Sequence, residues 1–500
     1  MKIVSLLLVL AMLLSFAACS TDPVNPADTD DATESTTPED STTADAMDIQ
    51  TGEDYYSVSD YLPTETFGGE DIHIWIDDGT YAFYNLTEEQ FVEGDIVHEA
   101  VQERNAAVEE GYDVVLNWNR ECNGSYRSKP VFRQSVLAGD EYDLVGGPAQ
   151  DLNALIPNGC FYDLSDNEYI DFSKPWWIEE ATANQRVYDR QFTAVGYFDF
   201  QTIARINVFF FNGKMVDDYN FGNMYDLVTE GNWTWEKMME MSEIVSADVN
   251  QDGVMDESDR YGLAGRWDYW TGEVSTCGYQ YVSRDANGEY VITGVTDDLL
   301  EINAKVYPVI NNSDVYYSHY TYGVHTSASS ERATQTRTMF CNNQILFLLD
   351  SLARTSKDDL RSFGAYGVLP SPKYLEGQED YASSSSAYIS AICSTTGDLK
   401  ISSIILEALQ IESYNILRPV YTKQALSYKY LTDPQAVSML NLIFREVCTQ
   451  WGENFSGAGL GQELFISMPT QQYLGSYFQE NASRIQQQLE DLLVTIEALT

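Results

Sequence analysis

The sequence predicts an α/β protein of two lobes, each a mostly parallel sheet flanked by helices. Three observations carry this. Stretches with strand alternation take turns along the chain with stretches of helical spacing. That order starts again near Ile206, and 500 residues are more than one core usually organises.

The chain begins with Lys2 and an uncharged run from Ile3 to Ala18. The run has the length of a secretory h-region and falls short of the roughly 20 residues that span a bilayer. It ends Leu14-Ser-Phe-Ala-Ala-Cys19, small residues before a cysteine. That pattern resembles a bacterial lipobox, so residues 1–18 are expected to be a signal peptide and Cys19 the lipidated N-terminus. An ordinary cleavage site would still give export, without the anchor; two acyl chains give stable anchoring where one is marginal. Residues 19–55 are expected to be a disordered tether: Asp28, Asp30, Asp31, Glu34, Glu39 and Asp40 repel one another, and almost nothing there could enter a core.

Lobe 1 is expected over 56–205. Asp71-Ile-His-Ile-Trp-Ile-Asp77 alternates as a strand and ends in the turn Asp77-Asp78-Gly79. Ile96, Val97, Ala100, Val101 and Val108 recur at helical spacing up to Gly111, and Asp113 to Asn117 returns to strand composition. A helix near Val131 to Ala138 and a strand Tyr142 to Val145 follow, then Gly146-Gly147-Pro148. Lobe 2 is expected over 206–345, opening with Ile206-Asn-Val-Phe-Phe-Phe211 and ending near the strand Gln344 to Leu349. Residues 346–500 are expected to return to lobe 1 and to close both lobes with amphipathic helices near Ile401–Glu412, Pro434–Val447 and Ala482–Leu499. Ligands of such sheets sit at strand carboxyl ends, which points to Asp77, Asp78, Gln150, Asp151 and Asp350.

Composition removes several classes. With 28 Lys+Arg against 77 Asp+Glu the formal charge is −49, which excludes nucleic-acid binding by a basic face and favours neutral solutes or cations as ligands. A hydrophobic fraction of 44% and an aromatic fraction of 13% describe a globular body. Four histidines form no metal-ligand pair, and GxSxG, P-loop and GxGxxG signatures are missing. Apart from Cys19, the cysteines 122, 160, 277, 341, 393 and 448 are widely spaced with no CxxC; they read mostly as small buried residues with room for one bridge.

The sharpest motif is Asp248-Val-Asn250-Gln-Asp252-Gly253-Val254-Met-Asp256-Glu-Ser-Asp259. Oxygen ligands two residues apart on a tight loop converge on one centre, and Gly253 permits the turn, so residues 248–259 are expected to hold structural calcium through Asp248, Asn250, Asp252, the Val254 carbonyl, Asp256 and Asp259. An acidic surface turn would look similar. Asp259 in place of Glu shortens the last reach, which sets affinity near 10⁻⁴ to 10⁻³ M, as an order of magnitude. Trp75, Trp176, Trp177, Trp267 and Trp270 lie near strand ends and loops among Asp and Asn. Indole faces stack on sugar rings while carboxylates and amides bind hydroxyls; core packing is the competing role for each.

Taken together, Tyr61-Leu-Pro63, Phe67-Gly-Gly69, Glu103-Arg-Asn105, Val108-Glu-Glu-Gly-Tyr112, Lys174-Pro-Trp-Trp177, Phe211-Asn-Gly-Lys214, Gly231-Asn-Trp-Thr-Trp-Glu236, Tyr261-Gly-Leu263 and Tyr366-Gly-Val-Leu-Pro-Ser-Pro-Lys-Tyr374 resemble the extracellular solute-binding proteins, family 1, which deliver sugars to ABC transporters in Gram-positive bacteria. The resemblance covers most of the chain after Tyr61. It implies a type II periplasmic-binding-protein fold, its two lobes joined by strands crossing the hinge, and no enzyme activity. The expected role is that of a lipid-anchored monomer on the outer face of the cell membrane, which captures a mono- or oligosaccharide and presents it to permease subunits. Asp77, Asp78, Gln150, Asp151, Trp176, Trp267, Trp270 and Asp350 are the expected ligand contacts. A surface glycoside hydrolase using two carboxylates, or a calcium-stabilised sensor or adhesion protein, are the alternatives.

Overall fold

Two β-sheets organise the described part of the chain. The structure is a computed structural model that describes residues 55–76, 96–119, 128–266, 269–318, 328–425, 433–460 and 472–499. By its contacts the chain falls into two units, Met1–Asp48 and Ile49–Thr500, and every described residue belongs to the second.

The first sheet is built from β1 (Glu70–Ile76), β2 (Val114–Asn119), β3 (Leu144–Pro148) and β9 (Tyr388–Ile392), in the order β9-β3-β1-β2. Both β1 pairings are parallel, and β9 runs antiparallel to β3. α1 (Ile96–Tyr112) joins β1 to β2 and buries Val97, Ala100, Val101, Arg104 and Val108, one stripe at helical spacing. Gly111, expected to end this helix, lies inside it; the stop is Asp113, at φ 52° in the left-handed region, where Asp is tolerated. α2 (Ser128–Ala138) leads into β3.

The strand expected over Tyr142 to Val145 is β3, which starts at Leu144 and continues through Gly146-Gly147-Pro148. The physical reason is crowding. A Cβ added at Gly146 would stand 2.6 Å from Ile76 Cδ1 and 3.2 Å from Asp199 Oδ2, so only glycine lets these backbones approach.

The second sheet holds β4 (Asn207–Asn212), β5 (Tyr261–Gly265), β6 (Tyr316–Ser318), β7 (Ile345–Ser351) and β8 (Tyr366–Leu369), ordered β8-β4-β7-β5-β6. β5 is parallel to β6 and β7, while β4 is antiparallel to its neighbours. β4 and β7 are buried along their whole length, which is why they read as unbroken apolar runs. The sheet therefore extends to residue 369, past the boundary expected at 345. α3 (Trp235–Val245) is capped by Thr234, whose hydroxyl accepts from Lys237 N. α4 (Asp297–Ile310) and α5 (Ala328–Cys341) precede β6 and β7. α6 (Leu399–Glu412), α7 (Pro434–Arg445) and α8 (Leu474–Glu497) supply the carboxyl-terminal helices. Asp398 caps α6 by accepting from Lys400 N and Ile401 N. Cys160, Cys277, Cys341, Cys393 and Cys448 are free thiols, and three of them are buried.

Two segments cross between the sheets, residues 193–206 and 383–390. They are zipped together: Ala194 and Ser390 form a bridge, the Thr202 hydroxyl meets the Tyr388 backbone, and Ser385 Oγ donates to Thr202 O. A separate attachment lies away from them. The hairpin of Val282–Arg284 with Tyr290–Ile292 leaves the second lobe between β5 and β6. Arg284 Nη2 donates to Tyr188 O, Tyr290 Oη donates to Arg186 O, and the Tyr290 ring stacks on Trp451 with centroids 4.8 Å apart. The 186–190 turn belongs to the first lobe, where Arg190 Nη1 bonds the Ile496 and Leu499 carbonyls at the end of α8.

Candidate functional site

Strand direction fixes where a ligand could be held. β3 ends at Pro148, opposite Tyr388, where antiparallel β9 begins. β7 ends at Ser351, opposite Asn207, where antiparallel β4 begins. Both crossing segments therefore run from the carboxyl edge of one sheet to the carboxyl edge of the other, and the floor they form is the candidate site.

Charged side chains lie along this floor. Asp350, only 1% exposed, accepts from Ser351 N, from Tyr269 Oη at 3.2 Å and from Arg354 Nε at 3.0 Å. The Asp350 charge pushes the Arg354 pKa upward, so this guanidinium stays protonated. Arg266, directly after β5, lies over the Tyr269 ring at 4.9 Å, and Arg205, on the crossing segment, lies over the Tyr388 ring at 4.8 Å. Leu352 N donates to Ile206 O, which ties the segment after β7 to the crossing segment before β4. Beneath them Glu273 is fully buried; burial lifts its carboxyl to about 7 against the hydrogen bonds from Tyr374 Oη at 3.0 Å and Ser384 Oγ at 3.2 Å. Gln201 is also buried, with neither amide atom hydrogen-bonded.

Of the residues expected to contact ligand, Gln150 and Asp151 open the short helix after β3, half-buried at the carboxyl edge, and Asp350 sits at the floor. Asp77, Asp78 and Trp267 lie outside the described residues, as does Cys19. Trp176 and Trp270 are placed otherwise than expected. Trp176 is completely buried, its indole N–H donating to Glu407 Oε1 at 2.7 Å while Trp177 donates to Oε2 at 3.0 Å. Trp270 is 1% exposed, packs near Trp235 and Phe209 and donates to Tyr316 Oη. Each indole satisfies its one donor inside a core, which leaves no face for a sugar. Glu407, inside an apolar cluster, is lifted to about 8 by burial despite those two donors.

The 248–259 loop has its oxygens engaged by its own backbone. Asp248 accepts from Gln251 N and Gly253 N, Asn250 from Asp252 N, and Asp252 from Val254 N; Gly253 takes φ 81°. Asp259 is buried, and its two oxygens accept from Val249 N and Asp256 N, which holds its pKa below the usual carboxylate value. Among the described residues no three His, Cys, Asp or Glu side chains are gathered as a metal centre. The donors are all oxygen, with an amide and a backbone carbonyl among them, which suits a hard cation in type. A groove of about 270 Å³ between helix Met224–Thr229 and α7 is lined mainly by Val228, Tyr381, Pro434, Met439 and Leu442; it is apolar and distant in sequence from the strand ends.

No family model matches the chain, and no curated protein matches it. Solved structures do. The galacto-N-biose/lacto-N-biose I-binding protein of an ABC transporter from Bifidobacterium longum, in complex with lacto-N-biose, superposes with a TM-score of 0.55 at 10% identity, over 86% of this chain and 98% of that one. UspC of M. tuberculosis gives 0.53 at 13% identity, over 84% and 100%. A cyclo/maltodextrin-binding protein complexed with maltotetraose gives 0.52 at 10% identity, over 86% and 97%. The fold is that of the two-lobed periplasmic binding proteins. At these identities the likeness concerns architecture: two α/β lobes joined by crossing segments, with strand carboxyl ends facing the junction. Among the described residues no helix is long and apolar enough to cross a membrane.

Proposed function

We propose that the protein is a non-enzymatic solute receptor that captures a mono- or oligosaccharide at the floor between its lobes and hands it to the permease of an ABC transporter. The observation that carries this reading is the meeting of both sheets' carboxyl edges at one polar floor built on crossing segments. Ligand contacts supplied by both lobes stabilise the closed form, so ligand selects closure. The sugars bound to the lacto-N-biose and maltodextrin proteins of the same fold are consistent with it.

Residues 1–18 act as an export signal, Cys19 carries the lipid, and residues 19–55 tether the body to the outer membrane face as a monomer. Residues 248–259 hold calcium, with Asp259 closing the loop from beneath, and the ion steadies the second lobe. Thermal unfolding of the full chain in detergent, against a panel of mono- and oligosaccharides, tests the reading. A ligand at 100 times its Kd adds about 2.7 kcal/mol. A raised midpoint without consumption of sugar supports it; cleavage of the sugar, or no shift across the panel, rejects it.

A further inference from the structure

We propose that residues 279–293, inserted in the chain of the second lobe, travel with the first lobe, and that motion between the lobes bends the chain at Gly278 and Gly294. This rests on the two-lobed fold and goes beyond the receptor reading, which stands or falls separately.

Two glutamines clasp the inner end of the insertion. Gln280 Nε2 donates to Thr449 O at 2.9 Å, and Gln280 Oε1 accepts from Trp451 N at 3.2 Å. In return Gln450 Oε1 accepts from Tyr281 N at 3.0 Å, and Gln450 Nε2 donates to Tyr279 O at 2.7 Å. Each amide thus gives one donor and one acceptor to the backbone of the other segment. Residues 449–458 lead into the first lobe. The chain leaves α7 beside β8, pairs Val447–Cys448 with Ser383–Ser384, and packs its 456–458 turn against the helix that follows β3.

The outer end is held by the same body. The Trp451 ring stacks on Tyr290 and, at 4.3 Å, on Phe455. The Arg186 carbonyl accepts from both Trp451 Nε1 and Tyr290 Oη, and Ile292 N donates to Gln486 Oε1 of α8. Tyr281, Tyr290, Gln450 and Trp451 are all buried, so sliding this surface would leave polar atoms unbonded away from water.

The junction with the second lobe is built differently. Gly278 takes φ 78°, and a Cβ added there or at Gly294 would meet nothing within 4 Å. Tyr279 Oη donates to Gly294 O, which joins the two sides of the stem to each other. Across the boundary Tyr279 N reaches Val274 O at 3.3 Å, and the second lobe resumes at Thr296, the cap of α4. Glycines with room around them absorb backbone rotation at little cost, whereas a buried clasp does not, so bending concentrates at the stem.

The test is pulsed electron-spin distance measurement on the full chain in detergent. Spin-labelled noncanonical side chains, which spare the native cysteines, replace three exposed residues: Asn287 on the hairpin turn, Gln487 on α8 of the first lobe and Leu300 on α4 of the second. The 287–487 pair should give one narrow distance, and the 287–300 pair a distribution as broad as the lobe-to-lobe pair 487–300. Gln280→Ala combined with Gln450→Ala should broaden the 287–487 distance. Equal widths for 287–487 and 287–300 in the wild-type clasp, or a narrow 287–300 beside a broad 287–487, would overturn the inference whether or not the double variant folds. A 287–487 distance that stays narrow in a folded double variant would overturn it too.

Discussion

Glu273→Gln isolates one proton in the stability of the second lobe. The carboxyl is fully buried, and its hydrogen-bond partners Tyr374 and Ser384 are hydroxyls, which can rotate to donate or accept. A glutamine of the same shape should therefore pack with less than about 1 kcal/mol of change at pH 5. The wild type carries a pH dependence that the variant lacks. Its carboxyl ionises near 4.5 when unfolded and near 7 when folded. Below 4.5 both states hold the proton and stability is full. Between 4.5 and 7 only the folded state keeps it, so stability falls as pH rises, and the loss is complete above 7. A shift of that size corresponds to about 3 kcal/mol. Urea unfolding of both proteins at pH 5, 6, 7 and 8 reads the difference directly, because other buried carboxyls such as Glu407 contribute equally to each. The variant should overtake the wild type between pH 6 and 8. Parallel stability profiles would refute the reasoning and mean that Glu273 ionises freely in the folded protein.

Other outcomes follow from the same geometry. Trp177→Phe removes the donor to Glu407 Oε2 and should destabilise by about 1–3 kcal/mol, with a steeper loss above pH 7, seen by chemical unfolding. Gly262→Ala would put a Cβ 2.2 Å from Ser242 Cα in α3 and should cost at least about 2 kcal/mol through displacement of that helix, read as a lower urea midpoint. At about 10 mM calcium and a Kd near 10⁻⁴ M the body should gain about 2.7 kcal/mol over a chelator control, and Asp248→Ala should abolish the gain; an unchanged midpoint would leave the loop a plain turn.

Much of the architecture could be read directly because its signals are local. Alternation over Asp71 to Ile76, the apolar run Val208 to Phe211 and the stripe Val97 to Val108 each declare an element within a dozen residues. The end of β3 was less legible: its run through Gly146-Gly147-Pro148 reflects the close approach of Ile76 and Asp199, which one dimension does not show. Depth was the other missing quantity. Trp176 and Trp270 have the chemistry of a sugar platform, yet each spends its face and its N–H inside a core. The partners of Asp350 were invisible for a related reason: Tyr269 and Arg354 belong to distant segments that only the second sheet brings to the end of β7. The place of Asp350 at a strand end is legible in the sequence, while the side chains that engage its carboxylate are not.

The hairpin docked at Tyr188 and Trp451 gives the lobes a second point of attachment beyond the crossing segments. A body held at one point can swing in any direction; held at two, it turns like a door about the line between its hinges. Opening and closing should thus follow one arc, with the same residues of each lobe returning to register every time. A ligand that arrives late in that arc meets a jaw whose teeth are already aligned.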